Sequence, residues 1–132
     1  MTITSTAGLS AILRQAPAIS PSLTCREALR VQFQHPESKC IVVRSSSNEP
    51  VGLIMCERFF LKATGRMGID QFYNEPVSKL MNRSPLTADI SASPESLWAE
   101  AMQRPEAMRQ DCIIVTDNGR IAGILHPAEL LR

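Results

Sequence analysis

The chain has no apolar run approaching the roughly 20 residues that span a bilayer, which argues against a transmembrane helix. Its opening, Met1-Thr2-Ile3-Thr4-Ser5-Thr6, has no basic stretch leading into a long apolar one. No secretory leader is read there, and a cytoplasmic chain is expected. There is no C-x-x-C pair. The four cysteines, Cys25, Cys40, Cys56 and Cys112, are scattered, and Cys40 and Cys112 fall inside strand-like apolar runs. Buried free thiols fit that placement better than a disulfide or a zinc site. The two histidines, His35 and His126, are too few and too scattered to complete a metal site. A glycine loop for phosphate, a Ser-His-acid or Cys-His signature and a paired set of carboxylates are all missing, which argues against an enzyme.

Strong charge of one sign is missing too. The net charge is +1. Residues 1–66 carry eight basic against four acidic side chains and the remainder six against nine, a +4 half followed by a −3 half. That asymmetry favours self-association of copies. It is not the concentrated basic face that nucleic acid requires. With 132 residues, 44% of them hydrophobic, the chain is a folded domain or two fused halves rather than a disordered segment.

What is present is a repeat. Leu13-Arg14-Gln15-Ala16-Pro17 returns as Met81-Asn82-Arg83-Ser84-Pro85, Cys40-Ile41-Val42-Val43 as Cys112-Ile113-Ile114-Val115, and Pro50-Val51-Gly52-Leu53-Ile54 as Ile121-Ala122-Gly123-Ile124-Leu125. The prolines, cysteines and glycines recur at offsets of 68, 72 and 71 residues. Order is kept and only loop lengths drift. A duplication of this kind makes a pseudo-twofold module with paired sites, which points toward sensing and assembly rather than a single catalytic centre.

Local signals give each half the same plan. Residues 7–14 read as a short helix before Pro17, and Ala18-Ile19-Ser20 as a short extended piece between prolines. Thr24 and Glu27 form a capping box for a helix running to Gln34. Lys39–Arg44 and Val51–Met55 read as a hairpin across a Ser-rich turn. Glu57–Thr64 reads as a helix stopped by Gly65. The connector carries Phe72 and Tyr73, whose plainest role is to anchor it by burial. In the second half the helices fall at Pro76–Met81, after Ser93-Pro94, and at Pro127–Leu131. The strands fall at Leu86–Ala88, Cys112–Thr116 and Ile121–Leu125, the last two joined by the turn signal Asn118-Gly119. Arg132 falls at the end of the last helix, as in a short standalone protein or a piece trimmed from a longer one.

Several stretches together resemble a known family. They are Leu80-Met81…Pro85-Leu86-Thr87, Ser93-Pro94-Glu95-Ser96-Leu97, Cys112-Ile113-Ile114-Val115-Thr116-Asp117-Asn118-Gly119, and Ile121-Ala122-Gly123-Ile124-Leu125…Glu129-Leu130-Leu131. This ordered set, occurring twice, resembles a tandem pair of cystathionine-β-synthase (CBS) domains, a Bateman module. The first repeat would span 8–63, the connector 64–75 and the second repeat 76–132. The resemblance implies an α/β (α+β) fold of two pseudo-symmetric repeats, each helix-strand-helix-strand-strand-helix, packed sheet to sheet. It implies a non-enzymatic regulatory module that binds an adenosine-type ligand, such as AMP, ADP, ATP or S-adenosylmethionine, in the cleft between repeats. It implies a homodimer. The run Gly65-Arg66-Met67-Gly68…Phe72-Tyr73…Pro76-Val77…Leu80-Met81 is similar to bacterial signalling proteins in which a CBS pair precedes a diguanylate cyclase or phosphodiesterase output domain.

In nucleotide-binding members of the family, the return strand reads glycine, two apolar residues, Thr or Ser, two further residues, then Asp. The acid accepts both ribose hydroxyls and the hydroxyl residue contacts ribose or phosphate. Here the first repeat puts Met55 at the hydroxyl position and Arg58 at the acid position. Arg58 has donors only, which suits a phosphate and not a ribose diol. The second repeat puts His126 at the hydroxyl position, and Glu129 keeps the carboxylate on a longer arm. By the same resemblance Thr87, Ala88 and Asp89 line the cleft of the second repeat, and Ile19, Ser20 and Pro21 that of the first. A module that has lost its ligand and serves to dimerise or to position an output domain is the alternative. It draws on Met55, Arg58 and the apolar helix residues Phe59, Phe60, Leu130 and Leu131.

Overall fold

The computed structural model describes residues 8–65, 67 and 71–131. The opening residues 1–7 and positions 66 and 68–70 of the connector lie outside the described residues. The named strands and helices are β1 (Ala18–Ile19), α1 (Cys25–Gln34), β2 (Cys40–Arg44), β3 (Pro50–Met55), α2 (Cys56–Thr64), β4 (Thr87–Asp89), α3 (Pro94–Met102), β5 (Ile113–Asp117) and β6 (Arg120–Leu125). Two three-stranded sheets result, ordered β1-β2-β3 and β4-β5-β6. In each, the short first strand runs parallel to the central one and the third returns antiparallel.

The chain divides into two compact units, Ala16–Pro85 and Met1–Gln15 with Leu86–Arg132. The segments that pack together are therefore not the contiguous repeats. In the second unit Arg14 pairs with Ile124 on the outer strand β6, with both backbone bonds at 2.8 Å. In the first unit Asn82 pairs with Leu53 on the outer strand β3, at 2.8 and 3.0 Å. One edge of each sheet, the outer strand β3 or β6, is thus paired at one point by the segment that opens the other repeat, which occupies backbone groups there that would otherwise be unpaired.

This exchange explains two departures from the sequence expectations. The helices expected over 7–14 and Pro76–Met81 are 3-10 turns, Gly8–Ala11 and Val77–Lys79. Arg14, at the end of the first expected span, pairs with Ile124; after the second turn the Met81 N–H still reaches the Val77 carbonyl at 2.9 Å, and Asn82, the next residue, pairs with Leu53. The last helix is likewise a 3-10 turn, Pro127–Leu130. Its few residues offer too few i→i+4 partners, and Glu129 N–H bonds instead to the His126 carbonyl at 2.9 Å.

The glycines of the repeat also follow from the exchange. A Cβ on Gly123 would sit 2.6 Å from the Arg14 carbonyl oxygen and 2.9 Å from Leu13 Cγ. One on Gly52 would run into Met81 Sδ and come within 3.1 Å of the Asn82 carbonyl oxygen. Only glycine lets the incoming backbone approach this closely.

Each unit has its own apolar cluster between its sheet and its helical elements. In Ala16–Pro85 it is Ile19, Ile41, Val43 and Ile54 against Cys25, Ala28, Leu29, Phe59 and Ala63, with Phe72 and Tyr73 packed on its margin. In the other unit Ile113, Val115 and Leu125 meet Leu9, Leu97, Ala101 and Leu130. Alternate strand residues on the opposite sheet faces, Cys40, Val42, Leu53, Cys112, Ile114 and Ile124, are buried as well. That is why these strands read as unbroken apolar runs. All four cysteines are buried, and none is in a disulfide.

The end signals behave as their chemistry requires. Thr24 and Glu27 close the expected capping box, and Ser93 accepts from the Ser96 N–H at 3.1 Å. Asn118 and Gly119 both take positive φ, 56° and 81°, as a tight hairpin turn demands. Gly65 ends α2 in extended backbone at φ −67°, not in the left-handed form.

Gly123→Ala should cost about 1–3 kcal/mol and more than Gly52→Ala. At Gly123 the obstacle is the Arg14 backbone carbonyl, whereas at Gly52 part of it is the flexible end of Met81. Urea denaturation of the two variants checks the order. Thr24→Ala should cost about 1 kcal/mol. The Thr24 backbone N–H and hydroxyl hold the Glu27 carboxyl below the usual glutamate range. A depressed folded pKa means that this contribution is complete above the ordinary value and lost as pH falls through the lowered one. The gap in urea midpoint between the wild type and Glu27→Gln should hold from pH 7 to about pH 5 and close under stronger acid.

Candidate functional site

Register and strand alternation decide where the sequence-predicted residues stand. In β4, Thr87 pairs with Ile114, Ala88 with Val115 and Asp89 with Thr116. Ala88 points with Val115 toward the helix-side cluster, so Thr87 and Asp89 occupy the opposite face. They stand at opposite ends of the sheet. Thr87 is level with Ile114 and Ile124, next to the end of β6 where His126 follows. Asp89 is level with Thr116 and Ile121, toward the hairpin turn. Its carboxylate accepts the Ser91 N–H at 2.9 Å and the Ser91 hydroxyl, which hold it below the usual carboxylate range. Thr87 and His126 therefore share a sheet end, and Asp89 belongs to a local turn.

The first repeat separates its candidates further. Ile19 pairs with Val43 and is buried in the helix-side cluster. Ser20 follows it, and its oxygen accepts the Ser22 N–H at 3.3 Å. Met55 pairs with Cys40, three residues back along β2. At the rise of a strand this separates the two pairs by about 10 Å. Ile19 and Ser20 are thus not brought beside Met55 and Arg58, which sit at the end of β3 and in the first turn of α2. Parallel pairing is the reason: β1 and β2 end together, while β3 ends where β2 begins.

Glu129 carries the strongest polar interaction at the better-formed end. It is buried, and its side chain is 10% exposed. Arg14 Nε donates to Oε1 at 2.7 Å and an Arg14 terminal nitrogen to Oε2 at 3.0 Å. The carboxylate accordingly raises the Arg14 pKa above its ordinary value, by hydrogen bond first and then by charge. Arg14 is brought there by its backbone pairing with Ile124. Nearby, Cys112 Sγ meets His126 Nδ1 at 3.5 Å. A carboxylate has about four lone-pair directions. A two-pronged guanidinium uses one on each oxygen.

Arg14 was not among the residues expected to act. The repeat matches it with Asn82, an uncharged residue, and nothing local to either stretch signals a partner 115 positions away. The Cys112–His126 contact was also hidden. An unbroken hairpin around Asn118-Gly119 would pair Ile113 with Ile124. A bulge between Val115 and Thr116 shifts the partner to Leu125, which brings His126 level with Cys112.

Residues 77–132 match the CBS domain family. No curated protein sequence matches the chain. Solved structures with the same fold include a CBS-domain containing protein from Agrobacterium tumefaciens (22% identity, TM-score 0.71, covering 98% of this chain and 96% of that one). They also include the CBS-pair protein CBSX2 from Arabidopsis thaliana (20%, TM-score 0.73, 93% and 90%). The chain shares the fold of these CBS proteins. CBSX2 has been solved in complex with AMP as well (19%, TM-score 0.70, 93% and 92%). The soluble part of a magnesium transporter has the fold too (15%, TM-score 0.73), and there this chain spans 46% of the other.

The two repeats offer different chemistry at matched positions. The second has His126 and Glu129 with Arg14 alongside; the first has Met55 and Arg58 with Asn82. Among the described residues no helix is long and apolar enough to cross a membrane, and no three metal-ligating side chains cluster. Arg14→Gln and Glu129→Gln should each lower the urea midpoint, and the double variant should fall no further than the worse single one, because the two act as a pair. The loss should shrink in 1 M salt, since Arg14 is half exposed.

Proposed function

We propose that this chain is a CBS-pair regulatory module that binds an adenosine-type ligand through its second repeat. The observation that carries the reading is that Thr87 and His126 share one face and one end of the β4-β5-β6 sheet, with the Glu129 carboxylate just beyond β6 and held in place by Arg14. The 2′ and 3′ hydroxyls of a ribose supply two donors side by side. Thr87 and a protonated His126 supply groups for ribose or phosphate. CBSX2, a protein of the same fold, is known in complex with AMP. AMP, ADP, ATP and S-adenosylmethionine are the proposed ligand class. In the first repeat Met55 and Arg58 supply no acceptor for a diol, so Arg58 is assigned to phosphate if that repeat takes part. The ligand signal is proposed to pass to an attached or partner output domain, of the diguanylate cyclase or phosphodiesterase kind.

One observation favours a second reading. Both Glu129 oxygens already hold Arg14, and the acid position of the first repeat is an arginine. A module whose carboxylate serves only to fix an exchanged segment would act as a homodimeric scaffold without a ligand.

Thermal unfolding with the four ligands separates the readings. A bound ligand at 100 times its Kd adds about 2.7 kcal/mol, several degrees in Tm for a domain of this size. A selective rise that Glu129→Gln abolishes, while Arg14→Gln retains most of it, is the expected result. No rise with any of the four, together with a dimeric mass by light scattering, would replace the sensor with the scaffold.

A further inference from the structure

The Ala16–Pro85 unit carries a pocket of about 480 Å³ that involves none of the candidate site residues above. It is lined by Arg26, Leu29, Arg30, Phe33, Thr64 and Tyr73. The first four stand at i, i+3, i+4 and i+7 of α1 and so form one stripe of that helix. The stripe alternates cationic and apolar residues. Arg26 and Arg30 are exposed, Leu29 is buried, and Phe33 is 64% exposed although it is a large apolar residue. Tyr73 stands opposite, fixed by its carbonyl accepting the Arg26 N–H at 2.9 Å. The Arg26 guanidinium carbon lies 5.8 Å from the Tyr73 ring centroid. Phe33 is held edge-on by Phe60, with ring centroids 6.0 Å apart.

The charge in this pocket is only partly offset: Glu27 feels the charge of both arginines but bonds to neither. Neither Arg26 nor Arg30 forms an ion pair with a described residue. The neighbouring acid on α1, Glu27, is committed to the helix cap, accepting the Thr24 N–H at 3.1 Å and hydroxyl at 2.9 Å. The Thr64 hydroxyl is spent on the Phe60 carbonyl at 2.6 Å. What remains open is two guanidinium groups beside an aromatic and aliphatic wall, in a volume typical of small-molecule sites.

We infer that this pocket is a second ligand site, for a small anion with a flat apolar body. Arg26 and Arg30 take the carboxylate or phosphate, and Leu29, Phe33 and Tyr73 take the body. Guanidinium donors match both anions in two-pronged geometry, and aromatic walls take a planar body by stacking or edge contact.

The test uses the whole chain and three probes: 2-naphthoate, the neutral 2-naphthalenemethanol, and inorganic phosphate. Binding is followed by calorimetry and by amide NMR shifts. Naphthoate should bind at least about ten-fold more tightly than the alcohol, and Arg30→Gln should weaken it by about ten-fold. Phe33→Ala should weaken it too, with shifts centred on Leu29, Phe33 and Tyr73. Phosphate alone should bind more weakly than naphthoate. Equal affinity for acid and alcohol, or no response to Arg30→Gln, overturns the site. So does a failure of naphthoate to bind, whether the chain is then a monomer or a dimer that Phe33→Ala splits, which would make this face an interface between copies. AMP keeps this inference separate from the nucleotide reading. Naphthoate binding should persist in saturating AMP and in Glu129→Gln, and displacement by AMP would show that there is no second site.

Discussion

The structure depends on a close approach of two backbones over a glycine, made twice. Arg14 lies against Ile124 beside Gly123, and Asn82 lies against Leu53 beside Gly52. These pairings occupy part of the outer edge, β3 or β6, of each small sheet. They also set the length of the elements on either side. Arg14 and Asn82 are each paired with a strand, and the turns before them stay short. Each unit therefore borrows an edge pairing from the other repeat, and neither repeat is complete as a contiguous segment.

Much of this was legible from the residues. The doubled apolar runs at Cys40 and Cys112 state the two central strands, since a strand buried on both faces shows no alternation. Asn118-Gly119 states a hairpin, because both residues tolerate positive φ. Thr24 and Glu27 state a helix start. What stayed hidden is what depends on long-range pairing. Gly52 and Gly123 were visible as a repeat, but the reason for them is a backbone some 30 or 110 residues along the chain in opposite directions. The bulges after Val43 and Val115 were hidden too. A bulge adds one residue to one strand and turns the following side chains to the other face. Without it, His126 would not meet Cys112 and the candidate site would be assigned to the wrong neighbours. Thr87 and Asp89 show the same limit. They lie on one face by alternation, and only the register with β5 sets them at different ends.

The two repeats share a backbone plan and differ in what hangs from it. At the position where an exchanged segment meets the end of the outer strand, one sheet has Arg14 and the other Asn82. One turn beyond that strand, one has Glu129 and the other Arg58. The first combination makes a two-pronged ion pair. In the second, the Asn82 side chain turns back to accept the Ser84 N–H at 2.9 Å. A charge-assisted pair at a half-buried site holds a carboxylate in one orientation, whereas an amide used in its own turn holds nothing else. The fold is therefore nearly symmetric and its chemistry is not.

That asymmetry bears on how a ligand assignment should be made for such a duplicated module. The backbone constraints, namely the glycines, the bulges and the edge pairings, are satisfied in both halves and so carry no information about binding. They would be required of a scaffold as much as of a sensor. The discriminating positions are few and all side-chain: the residue ending the outer strand, the residue three further on, and the residue arriving on the exchanged segment. Here the third of these modifies the second. Arg14 neutralises Glu129 and fixes it, so the charge a ligand meets at that end is not that of a lone carboxylate. An anionic ligand is repelled less there than the sequence of the strand end implies, while the acceptor oxygens are retained. A nucleotide carries both a diol that needs acceptors and phosphates that need their charge offset. Under the proposed ligand reading, the Glu129 carboxylate would serve the diol while the half-exposed Arg14 offsets its charge toward the phosphates.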